Sequence, residues 1–171
     1  PVSLVFDGAG IYYDPALADA LQASDLERML GTHDFADDEL AAADQLVAQL
    51  IAAQVTKYNV GSAALPKILL QPQQSRLVVL VVGQVEDDAS IKMACADIRT
   101  DYELLKRVRE RRPEALLVYK PHPDVVSGNS HSAEQARRYR ESQAMADVVI
   151  TEVSMADCLA VADELHTMTS L

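Results

Sequence analysis

The chain has 171 residues, of which 49% are hydrophobic, enough for one core or for a core with a smaller attached unit. Fifteen basic residues stand against 26 acidic ones, and the net charge of -11 argues against nonspecific nucleic-acid binding, which needs surface cations. The 2 cysteines lack metal-ligand spacing, and no apolar run approaches the ~20 residues of a membrane span, so we expect a reducing, cytoplasmic setting.

The first 60 residues predict a small unit of mixed structure. Two short β-type runs around the turn D-G-A-G predict a hairpin over residues 3–13. Ser24 followed by Glu27 has the spacing of a capping box and predicts the start of a helix. The longest helical pattern begins at Asp37, has one apolar face, and is expected to end near Asn59.

Apolar strands alternate with helices in the second half of the chain. The segments R-L-V-V-L-V-V-G, A-L-L-V-Y-K, D-V-V-I-T and E-L-H-T-M-T-S predict strands, with a helical pattern before each of the last three. Continuous apolar strands are typical of a parallel sheet covered by helices on both faces, so the fold class is α/β. We expect a connector at residues 61–75 to separate a unit at 1–60 from the sheet at 76–171, and the whole chain to be a piece of a longer protein.

An acidic loop, G-Q-V-E-D-D-A-S, follows the first predicted strand of the sheet. It presents Gln84, Glu86, Asp87, Asp88 and Ser90 where ligands collect in open α/β sheets. One carboxylate there can act as a nucleophile or base while a second tunes its pKa. Two alternatives stay open: a solvated acidic turn that leads into a helix cap, and an acidic metal site.

Two further clusters follow predicted strands. K-P-H-P stops the second strand and holds the ammonium of Lys120 and the imidazole of His122 at a stiff corner. Thr169 and Ser170, with the N–H groups of a following helix, form an anion site. Convergence of the four would make a phosphate pocket. The alternatives are a structural histidine and simple helix capping, which also explains Ser154.

Six segments occur in an order that resembles one known family. They are S-L-V-F-D-G-A-G-I-Y-Y-D, T-K-Y-N-V-G, G-Q-V-E-D-D-A-S-I, D-I-R-T, V-Y-K-P-H-P-D-V and L-H-T-M-T-S-L. They resemble the KpsC-type capsular polysaccharide proteins, which are retaining β-Kdo glycosyltransferases, and look closer to the C-terminal of their two transferase modules. The resemblance implies a GT-B architecture. Residues 1–60 would end the N-terminal lobe, with its hairpin and helices, and residues 76–171 would form a truncated, Rossmann-like nucleotide-binding lobe.

The resemblance also implies roles for individual residues. Asp88 matches the aspartate of a Q-x-x-x-D-x-S pattern, the family's proposed nucleophile, and Gln84 and Ser90 complete that pattern. We include Glu86, on the same loop, among the catalytic candidates. The residues expected to bind the donor CMP-β-Kdo are Lys120, His122, Pro123, Thr169, Ser170 and Ser90.

The implied function is transfer of Kdo to a lysophosphatidylglycerol glycolipid that already bears Kdo. This transfer builds the poly-Kdo linker of capsular polysaccharide. The expected location is the cytoplasmic face of the inner membrane, beside other capsule biosynthesis proteins and without nucleic acid. No cofactor or metal is required if lysine, histidine and a helix terminus hold the phosphate. The family's upstream E-D-G-F-x-R-S and downstream G-F-E-A-L-L segments are missing from this chain, so we expect the piece alone to be inactive.

Other function classes remain open from the residues alone. One is a noncatalytic nucleotide-sugar-binding or capsule-assembly domain. Another is a phosphatase-like enzyme that uses the acidic loop with Mg²⁺, and a third is a sugar-nucleotide epimerase. Arginines at 107–112 are expected to form the solvated face of a helix rather than a contact with an anionic membrane.

Overall fold

The computed structural model describes residues 7–10, 24–55, 61–71, 76–127 and 133–169. Both strands of the predicted hairpin, at 3–6 and 11–13, lie outside these ranges. The strands of the described residues are β1 (Val78–Val82), β2 (Leu116–Lys120), β3 (Val148–Val149) and β4 (Glu164–His166). The helices there are α1 (Asp25–Thr32), α2 (Asp37–Ala52), α3 (Lys67–Leu70), α4 (Ala89–Ala94), α5 (Asp101–Arg111), α6 (Pro123–Val126), α7 (Ala133–Met145) and α8 (Met155–Val161).

The strands form one parallel sheet in the order β3-β2-β1-β4, and this confirms the predicted α/β class. Val79 of β1 is in register with Leu117 of β2 on one side and with Glu164 of β4 on the other. Because β2 and β4 leave β1 in opposite directions, the strand order reverses at β1. Open sheets bind ligands in the crevice at the carboxyl ends of strands beside such a reversal, here between β1 and β4.

Helices cover both faces of the sheet, as the continuous apolar strands predict. On one face, Leu80 and Val118 pack in a cluster with Ile150, Val153 and Cys158. On the other face, Val79, Val81, Leu117 and Tyr119 pack with residues of α5, which are Leu104, Leu105 and Val108. Successive strand residues therefore point to opposite layers. The same alternation sends Tyr119 and Lys120, adjacent in sequence, to opposite faces of the sheet.

The long helix α2 begins where the sequence predicts but ends at Ala52, well before Asn59. A Schellman motif stops it: Val55 N–H donates to Leu50 O at 3.0 Å, and Gln54 has a φ of 50°. The residue in the left-handed conformation of such a motif is usually glycine. Because it is a glutamine here, the sequence does not indicate that the helix ends at this point. The apolar residues predicted to form one face of this helix are exposed, including Leu40, Leu46, Val47, Leu50 and Ile51.

Capping predictions are confirmed at two helices. At α1, Glu27 N–H donates to Ser24 Oγ at 3.1 Å, and the Glu27 carboxylate accepts from Ser24 N–H at 3.0 Å. At α8, Asp157 N–H donates to Ser154 Oγ at 3.0 Å. None of the helices in the described ranges has the length and apolarity needed to cross a bilayer.

Candidate active site at the carboxyl ends of the strands

Gln84, the second residue after β1, joins the β1 loop (residues 83–90) to the segment after β4. Its Oε1 accepts from Met168 N–H at 3.1 Å, Thr169 N–H at 2.7 Å and Thr167 Oγ1–H at 3.2 Å. Its Nε2 donates to Thr169 Oγ1 at 2.9 Å. The side chain is almost fully buried. Gln84 therefore holds the end of β4 in place with both ends of its amide.

A chain of hydrogen bonds continues from that glutamine to Asp88. Thr169 Oγ1 lies 2.9 Å from Ser90 Oγ, and Ser90 Oγ–H donates to Asp88 Oδ1 at 2.7 Å. Since the Ser90 hydrogen goes to Asp88, the Thr169 hydroxyl donates to Ser90 and accepts from Gln84. Every donor in the chain points toward the carboxylate, an arrangement that suits an ionised side chain.

Asp88 also caps helix α4. Its Oδ1 accepts from Ser90 N–H at 2.8 Å, so this carboxylate lies at the amino end of a helix, where backbone dipoles favour negative charge. The structure thus bears out the capping alternative for the acidic loop. Capping and nucleophilic attack are compatible, because the cap fixes the position of the side chain.

Asp101, at the start of α5, holds the β1 loop to the sheet through two hydrogen bonds. Its Oδ1 accepts from Gln84 N–H at 3.0 Å, and its Oδ2 accepts from Tyr119 Oη–H at 2.6 Å. Burial raises the pKa of Asp101 to about 6, against the opposing effect of these two hydrogen bonds and with a smaller push from Glu86. Gly83 leaves room for this contact, since a Cβ there would lie 2.3 Å from Asp101 Oδ2.

Lys120, the last residue of β2, is buried, with 5% of its surface exposed. Its Nζ donates to Val153 O at 2.6 Å, in the loop that follows β3. Burial lowers the pKa of the ammonium, and the nearby Cys158 thiol opposes that shift. The lysine therefore braces the loop between β3 and α8 from inside the fold.

His122 is the N-cap of the short helix α6, with Pro123 at its first position. The imidazole Nδ1 accepts from Asp124 N–H at 3.2 Å and lies 3.6 Å from the carboxylate of that aspartate. Proline is common at the first position of a helix because its missing N–H would have no partner there. The K-P-H-P corner therefore leads directly into a helix capped by His122.

The other carboxylates of the β1 loop form ion pairs. Glu86 pairs with Arg138 of α7 at 3.0 Å, and this arginine also contacts Glu134. Asp87 pairs with Lys92 at 3.3 Å. The metal-site alternative gains no support, because no cluster of three or more His, Cys, Asp or Glu side chains suited to an ion occurs among residues that the structure describes.

The structure brings four of the predicted site residues together: Gln84, Asp88, Ser90 and Thr169. Ser170 lies outside the described residues. Convergence of Lys120 and His122 with this group at one phosphate stays a prediction, as do the donor contacts of Pro123 and the catalytic role of Glu86.

Two residues that organise the loop are not predicted from the sequence: Asp101 and Tyr119. A tyrosine inside an apolar strand was a usable signal, because a buried hydroxyl needs a hydrogen-bond partner. A glycine directly after a strand, here Gly83, was a second signal of close approach by another side chain. Neither pattern identifies the partner, since Asp101 reaches both residues only through packing of α5 on the sheet.

Comparison with curated proteins finds relatives over the full length of this chain. It is 43% identical over 174 residues to the capsule polysaccharide modification protein LipA of Neisseria meningitidis serogroup B, covering 100% of this chain and 23% of that protein. It is 33% identical over 173 residues to the lipopolysaccharide-processing protein LpsZ of Rhizobium meliloti, covering 100% of this chain and 37% of that protein.

Two solved structures have the same fold. The β-Kdo 2,7 transferase of Thermosulfurimonas dismutans KpsC is 34% identical, with a TM-score of 0.67 over 96% of this chain and 45% of that chain. The β-Kdo 2,4 transferase of the same protein is 23% identical, with a TM-score of 0.67 over 96% of this chain and 48% of that chain, a likeness of fold alone.

This chain spans less than half the length of each of these relatives. Its match to the family described as capsule polysaccharide biosynthesis protein extends over residues 1–171. The parallel sheet and the linked carboxylate and hydroxyl groups at its carboxyl edge thus lie within the matched region, and the chain belongs to the capsule polysaccharide biosynthesis protein family.

Proposed function

We propose that this chain is part of a retaining β-Kdo glycosyltransferase with GT-B architecture. The enzyme moves Kdo from CMP-β-Kdo to a lipid-linked Kdo acceptor at the cytoplasmic face of the inner membrane. Family membership supports a role in capsule polysaccharide biosynthesis. The 34% identity to the β-Kdo 2,7 transferase supports Kdo transfer as the activity. We favour the 2,7 linkage because identity to the β-Kdo 2,4 transferase is lower, at 23%.

The hydrogen-bond chain from Gln84 to Asp88 is the observation that carries the proposal. It joins a carboxylate after β1 to a hydroxyl after β4, across the crevice where open α/β sheets bind ligands. A transferase that retains configuration needs a carboxylate beside the sugar and hydrogen-bond donors beside the leaving phosphate. Thr169 and Ser90 supply hydroxyl groups within 3 Å of one another next to Asp88.

Retention follows from two displacements at the anomeric carbon. In the first, Asp88 attacks that carbon, and the bond to the CMP phosphate oxygen breaks with its electron pair leaving on the phosphate. In the second, the acceptor hydroxyl attacks the same carbon and the bond to Asp88 breaks, which regenerates the carboxylate. The hydroxyl proton needs an acceptor, and Glu86 on the same loop is our candidate.

Charge stabilisation of departing CMP is the task of the remaining residues. Thr169, Ser170 and Ser90 would donate hydrogen bonds to the phosphate, the hydroxyl hydrogens of Thr169 and Ser90 turning away from Ser90 and Asp88 when CMP binds. His122 at its rigid corner and Lys120 within the fold would supply positive potential. The mechanism as proposed requires no metal, since these groups would balance the phosphate charge.

A noncatalytic domain is the second candidate, and the cap geometry of Asp88 favours it. If Asp88 only caps α4, it stabilises the fold and has no role in Kdo transfer. The two functions of Asp88 can be separated, because asparagine caps helices about as well as aspartate but is not a nucleophile of this kind.

The deciding experiment compares Asp88→Asn with Asp88→Ala in the intact protein. We expect Asp88→Asn to keep the wild-type melting temperature and CMP affinity while Kdo transfer falls at least ~10³-fold, a loss typical of a covalent residue. Asp88→Ala should lose transfer and also about 1 kcal/mol of stability with the cap.

Asp87→Asn is the matched control, because it changes a neighbouring carboxylate on the same loop that is paired with Lys92. We expect it to keep transfer near the wild-type rate. Turnover by Asp88→Asn within tenfold of wild type would remove Asp88 from the nucleophilic role.

A further inference from the structure

The connector predicted at residues 61–75 begins in close contact with the loop after β3 (residues 150–154). Gly61 has a φ of 98°, a conformation that residues with a side chain rarely adopt. A Cβ at this position would lie 2.5 Å from Glu152 O and 2.7 Å from the carbonyl carbon of Val153. Both distances are too short for a carbon atom, so glycine is what lets the two backbones approach this closely.

Two hydrogen bonds hold the same loop, one from the connector and one from the sheet. Ala63 N–H donates to Glu152 O at 3.0 Å. Lys120 Nζ, at the end of β2, donates to Val153 O at 2.6 Å. Carbonyls of two successive residues therefore accept from the connector and from a buried ammonium.

The connector is attached to the sheet at a second point, in helix α3. Leu69 is buried in the cluster that also contains Val118, Ile150 and Val153, and Leu65 packs against that cluster. Val153 thus packs with the connector through its side chain and binds Lys120 through its carbonyl. A shift of the connector would disturb the acceptor of Lys120.

The position of Lys120 depends on that acceptor. A buried ammonium is costly without hydrogen-bond partners, and its one hydrogen bond within the described part of the chain goes to Val153 O. We propose that Gly61 and Ala63 are positioning residues, which place the Lys120 ammonium through the backbone of Glu152 and Val153. If Lys120 faces the CMP phosphate as proposed above, the connector sets the place of that charge.

The test measures two sites in the intact protein without CMP or acceptor. Gly61→Ala forces the connector away from Glu152. Hydrogen exchange of the Ala63 amide should become at least about fivefold faster, because its bond to Glu152 O is lost. Acetylation of the Lys120 amine by acetic anhydride, followed by mass spectrometry, should become several-fold faster, because the wild-type lysine is buried. The exposed Lys92 and Lys106 should keep their wild-type rates.

Two further variants make the result specific. Gly31→Ala is the matched control, since a Cβ at that position of α1 would meet nothing within 4 Å. It should leave acetylation of Lys120 at the wild-type rate. Ala63→Pro deletes the N–H donor while Gly61 stays in place, and it should also speed acetylation of Lys120. In both connector variants the increase should exceed the rise in unfolded fraction measured by urea unfolding.

Wild-type acetylation of Lys120 in Gly61→Ala and Ala63→Pro would overturn the proposal. An increase no larger than the rise in unfolded fraction would also overturn it, because Gly61 and Ala63 would then act on stability alone. Neither readout uses nucleotide or turnover. A failure of Kdo transfer in the Asp88 experiment would leave both readouts valid, so the two proposals can fail separately.

Discussion

At the residue scale, Asp101 is a buried carboxyl that positions the loop after β1. It links the backbone of Gln84 to the hydroxyl of Tyr119, and so fixes the first residues of the β1 loop against the sheet. The cost is a carboxylate in a nearly dry environment, which burial makes harder to ionise. Asp101 is a positioning residue for the loop that carries Asp88.

The raised pKa of Asp101 predicts a specific dependence of stability on pH. Its pKa is about 6 in the fold against an ordinary value of 3.8, so the folded state binds this proton more tightly than the unfolded state. The contribution of Asp101 to stability is therefore greatest below about pH 4 and is lost as the pH rises to about 6. The full loss is of order 3 kcal/mol.

Urea unfolding of the wild type and of Asp101→Asn between pH 4 and pH 7 measures this contribution. The difference between the two proteins isolates the carboxyl, because the other titrating groups contribute to both. We expect the stability of the wild type to decline relative to the variant across that interval. Parallel pH profiles would show that Asp101 titrates normally.

At the scale of elements, the β1 loop and the segment after β4 behave as one unit. Gln84 accepts from two backbone N–H groups of that segment, at Met168 and Thr169, and holds the Thr169 hydroxyl. These bonds replace the ladder contacts that end with His166. The amide of Gln84 therefore extends the order of the sheet beyond the end of β4.

Hydrogen exchange at Met168 and Thr169 tests this role of Gln84. Gln84→Ala removes the acceptor and should speed exchange of both amides about fivefold or more, since each lost bond is worth about 1 kcal/mol. Gln84→Glu keeps an oxygen in the same place and should retain most of the protection. Equal exchange in wild type and Gln84→Ala would mean that other contacts hold the segment.

Sequence patterns predicted the strands, including the short strands β3 and β4, and the longer helices, and were weakest at short helices for a physical reason. The strands β1 and β2 are continuous apolar runs, and α5 and α7 are long enough to show helical composition. Helices α4 and α6 have only 6 and 4 residues, too few for any periodicity. Their N-caps are Asp88 and His122: a helix cap after the acidic loop was predicted only as an alternative, and no helix was predicted after His122.

The candidate site shows the same limit. Order along the chain placed Gln84, Asp88, Ser90 and Thr169 at strand ends, and parallel strands bring such ends to one edge. The hydrogen bonds among these residues depend on side-chain packing that no spacing rule encodes. Strand alternation does predict that Lys120 points to the opposite face of the sheet from Tyr119. Its bond to Val153, however, depends on the position of the loop after β3.

At the scale of the whole molecule, the net charge of -11 makes the recognition of any nucleotide a local matter. An anionic donor approaches an acidic protein and can be held only where donors and positive charge outweigh the average field. The proposed donor site would meet this condition through His122, Lys120 and the hydroxyl groups after β4.

CMP should therefore stabilise the intact protein against thermal unfolding. At a CMP concentration 100-fold above its dissociation constant, the expected gain is about 2.7 kcal/mol by mass action. Cytidine, which lacks the phosphate, should give a much smaller shift in melting temperature at the same concentration. Equal shifts from CMP and cytidine would contradict a phosphate site, and no shift from CMP would contradict a donor site in this protein.

The bridge made by Gln84 carries one more implication, for the thermodynamics of a catalytic cycle. It connects positions that are 85 residues apart in the sequence but share one hydrogen-bond chain. A ligand that favours one arrangement of Thr169 must change the free energy of the Asp88 loop, and linkage makes that influence reciprocal. Occupancy of the proposed phosphate pocket and readiness of the proposed nucleophile would then be two descriptions of a single equilibrium.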